Sequence, residues 1–205
     1  MFKVGILAAV CWSIFLSGCA TAPGAIKEDP WQGVNRSVFK FNDALDTWVA
    51  KPVAKGYVAV TPSFVEAGIG NFFDNVAHVP SVLNSLLQAK WQQAGYDGGR
   101  FLLNTFAGLG GLVDVAKEVG MPKNQREDFG QTLRVWGVPE GPYIVLPILG
   151  PTTLVDLVAR PIDWWTTPTT YIHANAVRNS VTVLDFTHTR AGLLDVEELV
   201  SGDKY

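Results

Sequence analysis

Glu127-Asp128 and Asp114 are the densest acidic positions in the chain, and paired carboxylates are the side chains of general acid–base work. The same positions fit a plainer role, negative charge at a helix N-terminus ahead of Phe129-Gly130-Gln131. The three histidines, His78, His173 and His188, lie far apart with no H-x-x-x-H spacing, so they do not form a zinc-ligand pattern. No G-x-S-x-G nucleophile elbow and no G-x-x-x-x-G-K-[ST] phosphate loop occurs. Gly108-Leu109-Gly110-Gly111 does not complete G-x-G-x-x-G and follows a helical stretch, so it reads as a hinge or a close-packing site. The sequence therefore shows no recognisable catalytic machinery, no metal site and no cofactor motif.

The remaining reactive side chain is a thiol. Met1-Phe2-Lys3 is followed by an uncharged run from Val4 to Leu16, too short to span a bilayer, and that run ends in Leu16-Ser17-Gly18-Cys19. This ending resembles the lipobox of bacterial lipoproteins. The resemblance implies a signal peptide over residues 1–18, a lipidated tether over 19–28, and diacylglycerol and an N-acyl chain on Cys19. Ala20, where an Asp would favour inner-membrane retention, reads as an outer-membrane address. Of the two Cys, Cys11 would leave with the signal peptide and Cys19 would be modified, so no free thiol remains for catalysis or a disulfide.

Composition narrows the partners. About 187 residues would remain after cleavage, enough for one domain. Losing Lys3 takes the formal charge from −3 to −4. With no basic patch, the chain is expected neither to bind nucleic acid nor to be held to a membrane mainly by anionic head groups. Only 17% of residues are charged, where a soluble domain has about a quarter. Trp31, Trp48, Trp91, Trp136, Trp164 and Trp165 remain after cleavage. Such a chain is either a well-covered subunit or one lying partly in lipid, where the amphipathic indole favours the interface.

The elements read as helices. Val34, Val38, Phe41, Leu45 and Trp48 recur at spacings of four and three, one face of a helix, expected to point inward with Asn42 on the flank. Pro52 is expected to interrupt or end it. Thr61-Pro62-Ser63 with Glu66 reads as a helix start, Ser63 capping and Glu66 closing the box. Pro80 is expected to kink or break the helix that follows, and residues 90–107 read as another. Two runs, 75–89 and 141–155, contain no charge. The second holds Pro142, Pro147 and Pro151, so it is expected to be irregular, and irregular apolar backbone must lie against protein, a cavity or the interface. Helix resumes after Leu154, broken at Pro161 and Pro168, and Asn175–Leu184 and Leu193–Val200 read as the last helices. No strand series or internal repeat is visible.

Several segments, in order from about residue 29 to 195, resemble the MlaA/VacJ family of lipoproteins that maintain outer-membrane lipid asymmetry. They include Asp29-Pro30-Trp31 with Gly33-Val34-Asn35-Arg36, Phe39-Lys40-Phe41-Asn42-Asp43, and Gly70-Asn71-Phe72-Phe73-Asp74-Asn75. Asn84-Ser85-Leu86-Leu87-Gln88, Arg100-Phe101 with Asn104-Thr105, and Gly108-Leu109-Gly110-Gly111 with Asp114-Val115-Ala116 follow. Glu127-Asp128-Phe129-Gly130-Gln131-Thr132-Leu133 and Gly141-Pro142-Tyr143 with Leu146-Pro147 and Gly150-Pro151 complete the set. Two departures stand out. Val155-Asp156 keeps only the Asp of a frequent Arg-Asp, and the sequence ends at Asp203-Lys204-Tyr205, where many members continue into a further helix, as a short member or a fragment would.

The resemblance implies an all-α, ring-shaped, membrane-embedded domain of many short helices over residues 29–205, lying in the inner leaflet of the outer membrane around an amphipathic channel. It implies membrane phospholipids as cargo, a trimeric porin as membrane partner and a soluble periplasmic lipid carrier as recipient. Misplaced phospholipid would leave the outer leaflet through the channel. It also places Phe41 and Asn42 where the first helix meets the channel, as a candidate gate. Gly141, Pro142, Tyr143, Leu146, Pro147, Gly150 and Pro151 are the candidate irregular channel segment. The competing expectations are a scaffold lipoprotein that moves no lipid, and a phospholipase, against which the missing elbow and thiol count. Exposing two acyl chains to water costs on the order of 20 kcal/mol, so a transporter must shelter them throughout. Head-group preference and direction are not legible.

Overall fold

A computed structural model describes residues 29–197; the expected signal peptide, the tether and Cys19 lie outside the described residues. The first helix, α1 (Gln32–Leu45), passes without a break through a π-turn over Asp46–Ala50 into α2 (Lys51–Val60). Pro52 does not end this rod. Its missing N–H and its ring would conflict with a regular ladder, and the ladder widens immediately before it, where the Lys51 N–H donates to the Asp46 carbonyl five residues back.

The α3 helix (Ser63–Leu87) and α4 (Trp91–Phe106) are joined by a tight turn in which Ala89 takes φ 58°. Neither Pro80 nor Pro161 breaks its helix: each lies inside a continuous one, and the Pro80 carbonyl accepts from Asn84 Nδ2 at 3.0 Å. The expected Ser63 cap is also corrected. Ser63 is already helical, Pro62 occupies the cap position with ψ 144°, and no side-chain cap bond forms. A short α5 (Val115–Glu118) and α6 (Phe129–Val135) follow, capped by the side chains of Asp114 and Asp128. The plainer reading therefore holds for Asp128; Asp114 caps a different helix, and Glu127 pairs with Lys90.

Residues 141–155 are not irregular. They form an antiparallel hairpin of β1 (Tyr143–Leu146) and β2 (Gly150–Thr153), with Tyr143 opposite Thr153 and Leu146 opposite Gly150. A two-stranded ribbon has only edges, so Pro151 withholds its N–H without breaking a ladder, while Pro142 and Pro147 flank β1. Helix α7 (Leu154–Thr166) starts at once, capped by the Thr153 side chain. A single 3-10 turn (Pro168–Tyr171), α8 (Asn175–Gly192) and α9 (Leu194–Glu197) complete the described chain. The expected all-α class holds, with one hairpin added.

What fills the interior is unusual. Among the described residues no Leu, Ile, Met, Phe, Tyr or Trp is buried, and the buried apolar side chains are Ala and Val alone. Arg100, Asn35, Thr132 and Asp97 are the largest fully buried side chains. The large apolar groups point outward: Phe106 is 83% exposed, and Trp48 and Val60 81%. The α1 stripe behaves the same way, with Phe41 55% and Val34 51% exposed while Asn35 is buried. The inward assignment is thus reversed for Val34, Phe41 and Trp48, while Val38 and Leu45 are half-buried. Periodicity locates a face, but the surrounding solvent decides which face turns inward. No described helix is long and apolar enough to cross a membrane.

Candidate functional site

The polar interior is a seam along the contact of α3 with α4. Asn75, His78, Ser81 and the adjacent pair Asn84 and Ser85 share one face of α3, continued by Gln88 at its C-terminal cap, and Ala94, Asp97, Arg100 and Asn104 recur every three or four residues on α4. The partners run in opposite order, Ser81 with Asp97 at 2.8 Å, His78 with Arg100 at 3.3 Å and Asn75 with Thr105 at 2.9 Å, so the helices are antiparallel. Buried polar groups are tolerated when hydrogen-bonded. These contacts pair much of the seam, while Asn75 Oδ1, His78 Nδ1, Ser85 Oγ, Gln88 Oε1 and Asp97 Oδ1 have no hydrogen-bond partner among the described residues.

Arg100 is the centre of one end of the seam. Its guanidinium reaches both oxygens of Asp114 at 2.9 Å and the Met121 carbonyl, and Asp114 also accepts from Asn104 at 2.9 Å. Burial pushes the Asp114 carboxyl up, but the bonds from Asn104 and Arg100 together outweigh it and hold it below its ordinary value. Two glycines allow this loop to close. A Cβ on Gly108 would lie 2.2 Å from the Val113 carbonyl oxygen, and Gly111, at φ +98°, would press on Asn75 at 2.7 Å. The Gly108–Gly111 segment is a close-packing site.

At the other end, Thr132 donates to Asn84 at 2.8 Å, and Gln88 donates to Thr132 and to Glu127, both at 3.0 Å. Lys90 meets Glu127 at 2.7 Å. For His78, burial lowers the imidazole pKa below its ordinary value, with Asp97, 3.8 Å away, pulling the other way.

The hairpin is attached to α1 by two asparagines. Asn35 donates to the Tyr143 carbonyl at 3.0 Å and accepts from the Val145 N–H at 2.9 Å. Asn42 repeats the pattern one step along, donating to the Leu146 carbonyl at 2.8 Å and accepting from the Ile148 N–H at 2.8 Å. Each amide thus stands in for a strand peptide on the free edge of β1. The spacing explains the fit: seven helical residues advance about 10.5 Å, and three strand residues about 10 Å. The Asn42 bracket grips the tip, where Ile148 takes φ 69°, a strained value for a β-branched residue.

A cavity of about 680 Å³ opens beside this frame. Its wall comes from α3, the 121–127 loop, the 3-10 turn and α8. Small and polar groups dominate it, among them Ser63, Gly70, Asn71, Ala77, Thr167 and Thr189. Its charges are mixed. Lys123 and Arg126 both pair with Asp74, the Arg126 contact at 2.6 Å, while Glu66, Asp185 and His188 complete the set. His188 Nδ1 lies 3.2 Å from the Tyr57 hydroxyl. The candidate segment Gly141, Pro142, Tyr143, Leu146, Pro147, Gly150 and Pro151 contributes nothing to this wall. Asn42 holds the hairpin, and Phe41 makes no inward contact of that kind; Cys19 lies outside the described residues. Sequence reasoning missed the wall because its charges are spread from Glu66 to His188. The seam did have a signal, the three-and-four recurrence of polar residues in the uncharged 75–89 run.

A polar seam inside an apolar shell, with a mixed-charge cavity opening beside the seam, suits apolar surroundings. Each large side chain moved from water into them gains up to about 1.5–3 kcal/mol, and buried polar atoms there must pair internally.

Comparison with known proteins is consistent with that arrangement. A family model described as MlaA lipoprotein matches residues 27–205. An intermembrane phospholipid transport system lipoprotein MlaA from Shigella flexneri is 33% identical over 218 residues, covering 99% of this chain and 83% of that protein. An uncharacterized protein of Rickettsia felis is 43% identical over 129 residues, 63% of this chain and 51% of its own length. The match thus spans about half the length of such relatives. A solved structure described as the structural basis for maintenance of bacterial outer membrane lipid asymmetry superposes with a TM-score of 0.76 at 33% identity, covering 86% of this chain and 91% of that one.

Proposed function

The chain belongs to the MlaA lipoprotein family, and from that premise we propose that it removes misplaced phospholipids from the outer leaflet of the outer membrane and passes them towards the periplasm. The observation that carries this reading is the reversed burial. Large apolar side chains cover the outside, polar ones fill the inside, and a mixed-charge cavity of about 680 Å³ opens beside them. Acyl chains meet the first, and a head group needs the last to cross an apolar layer. No bond need be made or broken, so the residues bind and guide and do no covalent chemistry.

In this reading the domain lies in the inner leaflet, anchored by diacylglycerol and an N-acyl chain on Cys19. A trimeric porin holds it in the bilayer, and a soluble periplasmic carrier takes the lipid away. The gate is the Asn42 bracket on the hairpin tip, with neighbouring Phe41 in the apolar layer. Deleting the gene should raise outer-leaflet phospholipid, measured by labelling intact cells with an impermeant amine reagent, and a plasmid copy should reverse it. Unchanged labelling in the deletion strain would remove the proposal.

A further inference from the structure

The cavity wall carries more carboxylates than full cations: Glu66, Asp74 and Asp185 against Lys123 and Arg126. The imbalance is arranged in space. Asp74 is saturated by both cations, so that corner as a whole is positive. Lys123 has three donors and Arg126 five, and Asp74 occupies one of each through its two oxygens. Donors remain there for a further anion. The side chains of Glu66 and Asp185 have no hydrogen bond or ion pair among the described residues, although both line the same space. Desolvation pushes the Asp185 carboxyl above its ordinary value, against the pull of His188 and Arg126, as for an anion lacking a cation.

We propose that this cavity selects phospholipids whose head group carries a primary ammonium beside its phosphate, the phosphate meeting Lys123 and Arg126 and the ammonium meeting Asp185 and Glu66. This rests on the phospholipid-transport reading and narrows its cargo. A head group such as phosphoethanolamine brings one charge for each side of the wall. Phosphatidylglycerol brings only an anion, leaves Glu66 and Asp185 uncompensated, and adds negative charge to a wall already in carboxylate excess.

The test uses the full-length lipoprotein purified in detergent. It is incubated with mixed micelles containing equal amounts of phosphatidylethanolamine and phosphatidylglycerol with matched acyl chains, and retained lipid is quantified by mass spectrometry. Wild type should enrich phosphatidylethanolamine about five-fold, the scale of a partly screened ion pair. Glu66→Gln with Asp185→Asn should erase the enrichment, and Asp185→Asn alone should reduce it. Lys123→Gln with Arg126→Gln should lower both lipids together. Equal retention by wild type, or enrichment that survives the double carboxamide variant, would overturn the proposal and leave the transport reading intact. Retention of neither lipid by wild type would overturn both.

Discussion

Asn42→Ala removes the bracket on the hairpin tip and nothing else of comparable weight. Two hydrogen bonds are lost, to the Leu146 carbonyl and from the Ile148 N–H, each 2.8 Å. A hydrogen bond contributes about 0.5–1.5 kcal/mol net. The Ile148 bond is exposed, so water partly replaces it and the lower half of the range applies to that one. Together they give about 1–2.5 kcal/mol, or roughly a 5- to 60-fold shift in the docking of the tip. Relaxation of Ile148 from φ 69° adds to the undocking drive. Phe41→Ala, one residue away, removes an outward ring and should leave docking unchanged. The assay is amide hydrogen exchange of the peptide spanning 141–155 in detergent, read against the α3–α4 peptides as an internal standard. Exchange at 141–155 should accelerate about ten-fold in Asn42→Ala, with α3–α4 unaffected, and stay at the wild-type rate in Phe41→Ala. Equal protection in Asn42→Ala and wild type, or equal acceleration in both variants, would refute the bracket.

Three other substitutions probe the shell and the seam. Arg100→Met strands the Asp114 carboxylate, and breaking a buried pair costs about 3–5 kcal/mol, so thermal unfolding in detergent should shift far down or the protein fail to accumulate on immunoblots. Phe106→Glu puts a charge on a position 83% exposed; on a water-facing surface it would be near neutral, whereas in apolar surroundings it should cost about 2.5–3.5 kcal/mol and increase extraction of the protein from membranes by alkaline carbonate. His78 has a lowered pKa, so below the unfolded value of about 6.5 the unfolded state binds the proton the folded state refuses, and stability falls as pH falls. His78→Gln should flatten the melting-temperature profile between pH 7 and 5 relative to wild type; parallel profiles would show that His78 contributes nothing to it.

How much of this was legible in the sequence depends on which interaction sets each feature. Helical periodicity is local, so α1, α4 and the short pieces after Gly111 were readable. Caps are local too, and Asp128 ahead of Phe129 was readable, whereas Ser63 is helical with Pro62 at the cap position, and Asp114 caps a different short helix from the one expected. Proline was overweighted: at Pro52 a π-turn absorbs it, and Pro80 and Pro161 sit within helices that packing maintains. The hairpin was missed because its edge is satisfied by Asn35 and Asn42, more than a hundred residues away in sequence. The direction of the Val34-to-Trp48 stripe was misread because it depends on the solvent, which the stripe itself does not encode. Low charge and abundant Trp did encode it, at the level of composition.

The central claim is that phospholipid passes through the cavity, and the most direct test fills that space while leaving the envelope complexes otherwise intact. Ala77 lies on α3 in the cavity wall, and Ala77→Trp places an indole there. In a strain lacking the chromosomal gene, the variant should reach wild-type abundance in the outer membrane yet leave outer-leaflet phospholipid at the level of the deletion, measured by impermeant amine labelling of intact cells. A plugged variant that restores wild-type labelling would contradict passage of lipid through this cavity.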